Sequence, residues 1–575
     1  MVNERIAADA IGNLSDYEKI SKEFSWASVD CDFNWADDGG IYNIAHEAID
    51  RHANSWRKNK IALYWTGPNG EERKFTFGEM MSLSNKFANA LKNMGAEKGD
   101  RILVFLDRIP EIYVSAMGII KMGAIFGPMF SAFGPEAVKD RMLDSGAKFL
   151  VTQPYLYKRI EPIMEDLTAL EKVILIEGDC EPLDEKCVHY LDIMKDASSN
   201  FEVVPLSPTD PYAIHYTSGT TGKPKGVLLG HRAMQHQLTT SRWVLDLKED
   251  DTYWCTADPG WVTGTSYGIF GPWLLGSSIV CYSGRFDAAT WYSLLEKYGV
   301  TVWYTAPTAL RMLIKAGDEL VGQFDLSSLR HICSVGEPLN PEVIRWSRSI
   351  IGLPVYDTWW QTETGGHMIC NYPCMDIKPG SMGRPIPGVS AAVVDEDGNE
   401  LPPGNEGFLA IRPGWPAMML GIWRNVPRFK EYFRVPGWYV SGDVAIMDEE
   451  GYFWFMGRAD DVIKTSGERV GPFEVESALI EFPSVAEAGV IGKPDELRGE
   501  IIKAFVTLRP GYKPSEALKK EIIKFVGQRL AAHAKPREIE FVDNLPKTRS
   551  GKIMRRLLKA REMGLEVGDT STLED

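Results

Sequence analysis

The sequence predicts an α/β protein: a large N-terminal α/β domain with parallel sheets and a β-rich subdomain, then a small C-terminal α/β domain. Three observations predict it. The chain has 575 residues, too many for one core at about 100–200 residues per domain. Its 44% apolar and 25% charged residues are those of a water-soluble globular chain. Short β-rich runs alternate with helical patterns along most of its length, which is how parallel sheets are wired.

In order, "RILVFL" (101–106), "KFLVTQ" (148–153), "VILIEG" (173–178) and "YAIHYTS" (212–218) read as strands. Residues 75–95 and 135–147 between them read as helices. The most apolar stretch, 109–134, contains Lys121, Gly123 and Pro128 and fits no clean membrane span of about 20 apolar residues. Pro110 opens a helix there, Gly123 closes it, and "AIFGPMF" follows as a strand. From about residue 378 Gly and Pro rise and short strands follow, a β-rich subdomain. After "GRADDVIKTSGERVG" (457–471) comes a small unit of helix, two strands, helix and strand. The boundary falls near Asp460, dividing the chain into 1–459 and 460–575.

Charge and cysteine usage exclude several function classes. The 63 basic and 79 acidic residues leave a net charge of −16, against a nucleic-acid partner, which needs a basic footprint. One basic run stands near the C-terminus: Lys547, Arg549, Lys552, Arg555 and Arg556. The N-terminus has no apolar h-region and is no signal peptide. Eight cysteines show no framework spacing, and Cys370 and Cys374 form a lone CxxxC with no second pair, which argues against zinc. A reduced, cytoplasmic compartment is expected, with no membrane partner.

"HYTSGTTGKPKGV" (215–227) concentrates three glycines, four hydroxyls and two lysines after an apolar run. Glycines let successive N–H groups point into one concavity, the way a loop holds phosphate. It is not a Walker A loop: Thr217 stands where the first glycine is required, and Pro224 follows Lys223 in place of Ser or Thr. A P-loop phosphotransferase is thereby disfavoured.

"YTSGTTGKPKG" resembles the signature loop of the AMP-forming acyl-CoA synthetases of the adenylate-forming superfamily. "SVGEPLNPEVIRW" (334–346), "DTWWQTETG" (357–365), "WYVSGDVA" (438–445), "GRADDVIKTSGERVGPFEVES" (457–477) and "LPKTRSGKIMRR" (545–556) match in family order. The resemblance covers essentially the whole chain. It implies a ligase with two half-reactions. A carboxylate attacks the α-phosphate of ATP to give acyl-AMP and pyrophosphate; CoA then displaces AMP as the thioester forms. "WCTADPGWVTGTSYG" (254–268) and the "STLED" ending point to the short-chain members, hence to acetate, with propionate or a medium-chain acid as the alternative. A non-catalytic protein on the same scaffold is the third reading, disfavoured by intact Lys552, Asp443 and Arg469.

The resemblance also implies roles. Thr217, Ser218, Gly219, Thr220, Thr221, Gly222 and Lys223 hold the β- and γ-phosphates. Gly336, Glu337 and Pro338 line the adenine. Asp357, Thr358, Trp359, Trp360, Gln361 and Thr362 wrap the nucleotide. Asp443 accepts the ribose hydroxyls, and Arg458 and Arg469 contact ribose and phosphates, where a guanidinium offers two parallel donors. Glu363 is the carboxylate for Mg²⁺, a cation that prefers hard oxygen ligands.

Lys552 is the catalytic cation, bridging substrate carboxylate and α-phosphate, while Arg555 and Arg556 form a solvated helix face. Asp460 is the hinge about which the C-terminal domain turns, exchanging Lys552 for Ser466 and Gly467, which with Thr263 meet CoA. Trp360 closes an acyl pocket shared with Val262, Thr263 and Val335, the alternative being that Trp359 faces the pocket. Glu468 and Thr265 stand where longer relatives carry His. The carbonyls of Ile480, Phe482 and Val485 match a structural cation site of some relatives, although Phe482 departs from the usual His. A lysine acetylase and deacetylase acting on Lys552 complete the implied partners.

Overall fold

The computed structural model describes the chain except residues 1–3, 9–11, 37–39, 177–184, 218–223, 460, 466–467, 496–497, 531–532, 548–552 and 566–575, and the side chains of Ala36 and Arg469. Among the described residues the strands form four sheets, of nine, eight, four and five strands.

Two sheets are mainly parallel. In the eight-stranded one, Arg101–Leu106 lies between Ile125–Phe130 and Phe149–Thr152, and all its residues but the first are buried. Such strands read as unbroken apolar runs because helices cover both faces. The antiparallel pair Pro211–Thr217 and Lys225–Gly230 follows on from Ile125–Phe130. The phosphate-type loop joins these two strands in sequence, and its residues 218–223 lie outside the described residues. The nine-stranded sheet holds Thr252–Cys255, Val302–Thr305, His331–Ser334 and Val355–Trp359 as parallel neighbours.

The apolar stretch at 109–134 folds as expected, into the helix Pro110–Lys121 and the strand Ile125–Phe130. Lys121 is fully buried, yet its ammonium reaches Asp50 Oδ1 at 2.9 Å, Ser84 Oγ at 2.8 Å and Asn85 Oδ1 at 2.8 Å. All three ammonium protons have acceptors, so the charge can stay inside. Among the described residues no helix is long and apolar enough to cross a membrane.

The β-rich subdomain is the four-stranded antiparallel sheet that includes Glu406–Ile411, Tyr439–Met447 and Phe453–Arg458. The C-terminal unit packs the helices Pro472–Ile480 and Glu516–Arg529 on the long hairpin Val485–Asp495 with Gly499–Leu508, around its own core. Asn340 Nδ2 donates to Ser477 Oγ at 3.0 Å and joins this unit to the loop after His331–Ser334.

One expectation is corrected. Arg555 opens the helix Arg555–Met563 but is no solvated residue: it donates two hydrogen bonds to the buried carboxylate of Glu476, the Nε bond at 2.8 Å. Arg556, next to it, is exposed. The apolar helix face, with Leu557 and Leu558 buried, carries the Arg555 side chain inward with it.

Candidate functional site

The strand Val355–Trp359 and the residues after it organise the site. Side chains on a strand alternate between its two faces, and the alternation continues to Gln361. Trp359 and Gln361 point one way: Trp359 Nε1 donates to Asp443 Oδ2 at 3.0 Å and Gln361 Nε2 to the same oxygen at 3.2 Å. Thr358 and Trp360 point the other way, and both reach the hydroxyl of Tyr304, at 2.8 and 3.3 Å. Trp359 therefore belongs to the Asp443 side.

Asp443 lies 3% exposed on Tyr439–Met447, in register with Arg458, whose guanidinium is 3.5 Å away. Its backbone N–H donates to Ser441 Oγ, so the chain is pinned on both sides of the carboxylate. Tyr439 fixes Gln361 through a 2.7 Å bond to Oε1. Asp357 sits deeper and accepts from Ser334 Oγ at 2.8 Å. Burial pushes its carboxyl up to about 7, against the pull of the Ser334 hydroxyl and the N–H groups of Thr358 and Leu339.

Glu363 anchors the third direction. Lys225 Nζ lies 2.8 Å from Oε1, and the Tyr432 hydroxyl donates to the same oxygen at 2.7 Å. The lysine also donates to Tyr432 Oη. Burial raises the Glu363 carboxyl, but the Lys225 charge and these hydrogen bonds outweigh it, and its pKa lies below the ordinary value. The triad stands at the base of the phosphate-type loop, since Lys225 pairs with Thr217 across the hairpin. Among the described residues the Thr217 hydroxyl is buried with no partner. Ser218, Gly219, Thr220, Thr221, Gly222 and Lys223 lie outside the described residues.

Gly336 has φ +90°, and a Cβ built there would meet nothing within 4 Å, so its Cβ side faces open space. Glu337 is held by Arg311 Nη2 at 2.8 Å and Thr308 Oγ1 at 2.7 Å. Its side chain is thus committed to the protein, and the loop offers its backbone. Val335 is buried; Val262 and Trp360, partly buried, pack on the same core cluster. Val262–Thr265 is a short helix after the turn at Asp258 and Pro259, and Thr265 Oγ1 donates to Pro259 O at 2.8 Å. Gly264 is required here: a Cβ would lie 2.0 Å from Asp258 O.

In the C-terminal unit, Asp460, Ser466, Gly467 and Lys552 lie outside the described residues, as does the Arg469 side chain; the Arg469 backbone pairs with Lys464. Near the cation-type carbonyls, Val485 O accepts from Arg509 Nε at 3.0 Å and Phe482 O from Val485 N at 2.9 Å. Two of those three oxygens are therefore engaged, one of them by a guanidinium. Sequence reasoning did not single out Tyr304, Tyr432 or Tyr439, because each acts across the sheets and no local spacing marks it.

Known proteins resemble this chain over its whole length. The AMP-binding enzyme profile matches residues 49–423, and that of the AMP-binding enzyme C-terminal domain residues 474–552. The acetyl-coenzyme A synthetase of Bacillus subtilis (strain 168) is 58% identical over 98% of each chain. That of Methanothrix thermoacetophila is 44% identical over 93% of this chain and 85% of its own. Among solved structures, an anthranilate CoA ligase in complex with anthranoyl-AMP superposes with TM-score 0.84 at 31% identity, over 92% of this chain and 98% of its own. The Brucella canis acyl-CoA synthetase does so with TM-score 0.75 at 36% identity, over 95% and 99%. With a profile spanning most of the large lobe and relatives matching end to end, the chain belongs to the AMP-binding enzyme family.

Proposed function

We propose that this protein joins acetate to CoA at the expense of ATP. The acetate oxygen attacks the α-phosphorus, the bond to pyrophosphate breaks, and acetyl-AMP forms. The CoA sulfur then attacks the acetyl carbonyl carbon, AMP leaves, and acetyl-CoA is released. The observation that carries the reading is the 58% identity, over 98% of both chains, to a protein named for this reaction.

The residue roles are those the family resemblance implies, and the surroundings of the described residues among them are compatible with those roles. Asp443, beside Arg458 and fixed by Trp359 and Gln361, accepts the two ribose hydroxyls. The backbone at Gly336, Glu337 and Pro338 and the run Asp357 to Thr362 flank the base and the α-phosphate. Thr217 to Lys223 take the outer phosphates, with the unpartnered Thr217 hydroxyl as one donor. Arg469 is assigned to the same phosphates by the family resemblance alone. Val262, Thr263 and Val335 form the apolar cup, and Trp360 is its floor; an indole there fills so much volume that a two- or three-carbon acid fits.

Mg²⁺ suits Glu363. The carboxylate is ionised, and among the described residues no group of three or more His, Cys, Asp or Glu could hold a metal by itself. That matches an ion held by one carboxylate and substrate phosphates. When bound, it neutralises phosphate charge. Lys225, now on Glu363, holds the carboxylate in place until the nucleotide arrives.

The division is 1–459 and 460–575, with Asp460 the hinge. Lys552 serves the first half-reaction; rotation then brings Ser466 and Gly467, with Thr263, to the CoA pantetheine. Lys552 is also where an acetylase would silence the enzyme, because acetylation removes the ammonium charge; a deacetylase would restore it. The protein works in the cytoplasm, without nucleic-acid or membrane partners.

Pyrophosphate exchange into ATP across a series of acids tests the reading. Wild type should favour acetate, and Trp360→Gly should shift preference towards acids of four carbons or more. Exchange supported by long acids in wild type, or an unchanged preference in the variant, overturns the acetate assignment.

A further inference from the structure

Behind Trp360 lies a wall of buried side chains whose hydrogens can all be assigned. Thr358 Oγ1 donates to Ser334 O at 2.7 Å, so it can only accept from the Tyr304 hydroxyl at 2.8 Å. With its one proton given away, Tyr304 Oη has two lone pairs left. One takes the indole N–H of Trp360 at 3.3 Å; the other takes His367 Nε2–H at 2.9 Å. His367 is therefore the neutral Nε2–H form. Its Nδ1, unprotonated in that form, is buried with no partner among the described residues, and burial and the nearby His236 hold its pKa well below the ordinary value.

His367 is itself fixed. Its ring stacks on Tyr267, centroids 3.8 Å apart and planes 8° from parallel. Its backbone N–H donates to Tyr267 Oη at 2.7 Å, and its carbonyl accepts from His236 Nε2 at 2.7 Å. Tyr267, Tyr304 and His367 are each wholly buried. Trp360 meets this wall at three points, the hydrogen bond to Tyr304 and edge-to-face contacts with Tyr267 at 5.2 Å and 84° and with His367 at 5.9 Å and 89°. Edge contacts are not directional enough to fix an indole in its plane; the hydrogen bond is.

We infer that Tyr304 is the positioning residue that sets the acyl-chain limit, by holding the Trp360 indole in one orientation through its hydroxyl. The inference rests on the proposed role of Trp360 as pocket floor. Tyr304 touches no reacting atom. It converts a bulky side chain into a fixed wall, and the selectivity of a small apolar pocket depends on a wall that does not yield to one more methylene.

The test is the ratio of kcat/KM for acetate to that for propionate and butyrate, read by pyrophosphate exchange. Tyr304→Phe keeps the ring and removes the acceptor; the acetate-to-propionate ratio should fall about 5- to 10-fold, a fraction of what a methylene can contribute, with kcat on acetate largely kept. Loss of a merely structural group would lower all acids alike and leave the ratio unmoved. Should Tyr304→Phe fail to fold, benzothienylalanine in place of Trp360 removes only the indole donor and should lower the ratio to the same extent. Combining the two changes should add nothing further. An unmoved ratio in either single variant, or additive shifts in the combination, overturns the inference. Trp360→Gly separates the two levels: if it moves the preference while these changes do not, the role of Tyr304 alone is wrong.

Discussion

Replacing Arg555 by Met would remove one half of a buried ion pair and keep most of the side chain's apolar stem. Glu476 has 4% of its side chain exposed and Arg555 17%. The carboxylate accepts Arg555 Nε at 2.8 Å, a second guanidinium N–H, and the Val490 backbone N–H at 2.9 Å. Burial lowers the Arg555 pKa, but the Glu476 charge more than reverses this and leaves it raised, the signature of a pair held charged by its partner. Breaking such a pair from one side costs about 3–5 kcal/mol. The residual exposure of Arg555 and the surviving Val490 bond place Arg555→Met at the low end, about 3 kcal/mol.

The loss should appear in the C-terminal unit, because Arg555 starts one helix and Glu476 belongs to another, Pro472–Ile480. Where local opening is fast, about 3 kcal/mol raises the open population, and so amide exchange in that unit, about 100-fold. Hydrogen exchange resolved by peptide is the assay, with the large lobe as internal reference. Arg555→Met with Glu476→Gln supplies the control: the amide oxygen still accepts the Val490 N–H and the charge is gone, so most of the loss should be recovered, since the penalty is mainly an unpaired buried carboxylate. Exchange in the C-terminal unit unchanged by Arg555→Met, or a double variant worse than the single one, would refute the reasoning.

Two further outcomes are expected. Asp357, ordinarily near 3.8 and raised to about 7 in the fold, binds its proton more tightly folded than unfolded, so its contribution to stability is greatest below pH 3.8 and falls as pH rises towards 7, by about 1.4 kcal/mol per unit. Asp357→Asn removes this slope, and urea titrations at pH 5 and 7 should show wild type losing about 2 kcal/mol relative to the variant; parallel profiles would count against a protonated Asp357. On the proposed function, Lys552→Ala should bring pyrophosphate exchange to background while thioester formation from supplied acetyl-AMP persists; equal loss of both half-reactions would remove the domain rotation.

What the sequence could reveal was whatever depends on neighbours along the chain. Arg101–Leu106 and Pro211–Thr217 announce themselves as apolar runs, and Pro110 marks the start of its helix, because burial on a strand and the missing N–H of proline are local facts. "DTWWQTETG" was legible for the same reason. Lys121 was not: its acceptors lie 71, 37 and 36 residues away, and only the fold shows that an ammonium inside an apolar helix is satisfied. Arg555 misled for a like reason, its partner standing 79 residues earlier. A basic run shows net charge, but not which member of it turns inward.

One short segment serves three chemistries because of strand geometry alone. Along Asp357 to Glu363 the side-chain period of two sends Trp359 and Gln361 to Asp443, and Thr358 and Trp360 to Tyr304. The turn at Thr362–Thr364 then redirects Glu363 to Lys225 and Tyr432. The Tyr304 side is neutral throughout: its hydrogen bonds join hydroxyls, an indole, a neutral imidazole and a backbone carbonyl. The other two sides carry the charged pairs Asp443–Arg458 and Glu363–Lys225. On the proposed function this asymmetry orients the acid before any catalytic group acts, since a methyl loses nothing against a neutral wall while a carboxylate would lose its hydration there. A one-residue slip of the segment would exchange the two faces, taking Trp359 and Gln361 off Asp443 and Thr358 and Trp360 off Tyr304. Inserting a residue between Asp357 and Trp360 would therefore damage nucleotide binding and acid selection together, whereas Tyr304→Phe alters only the second.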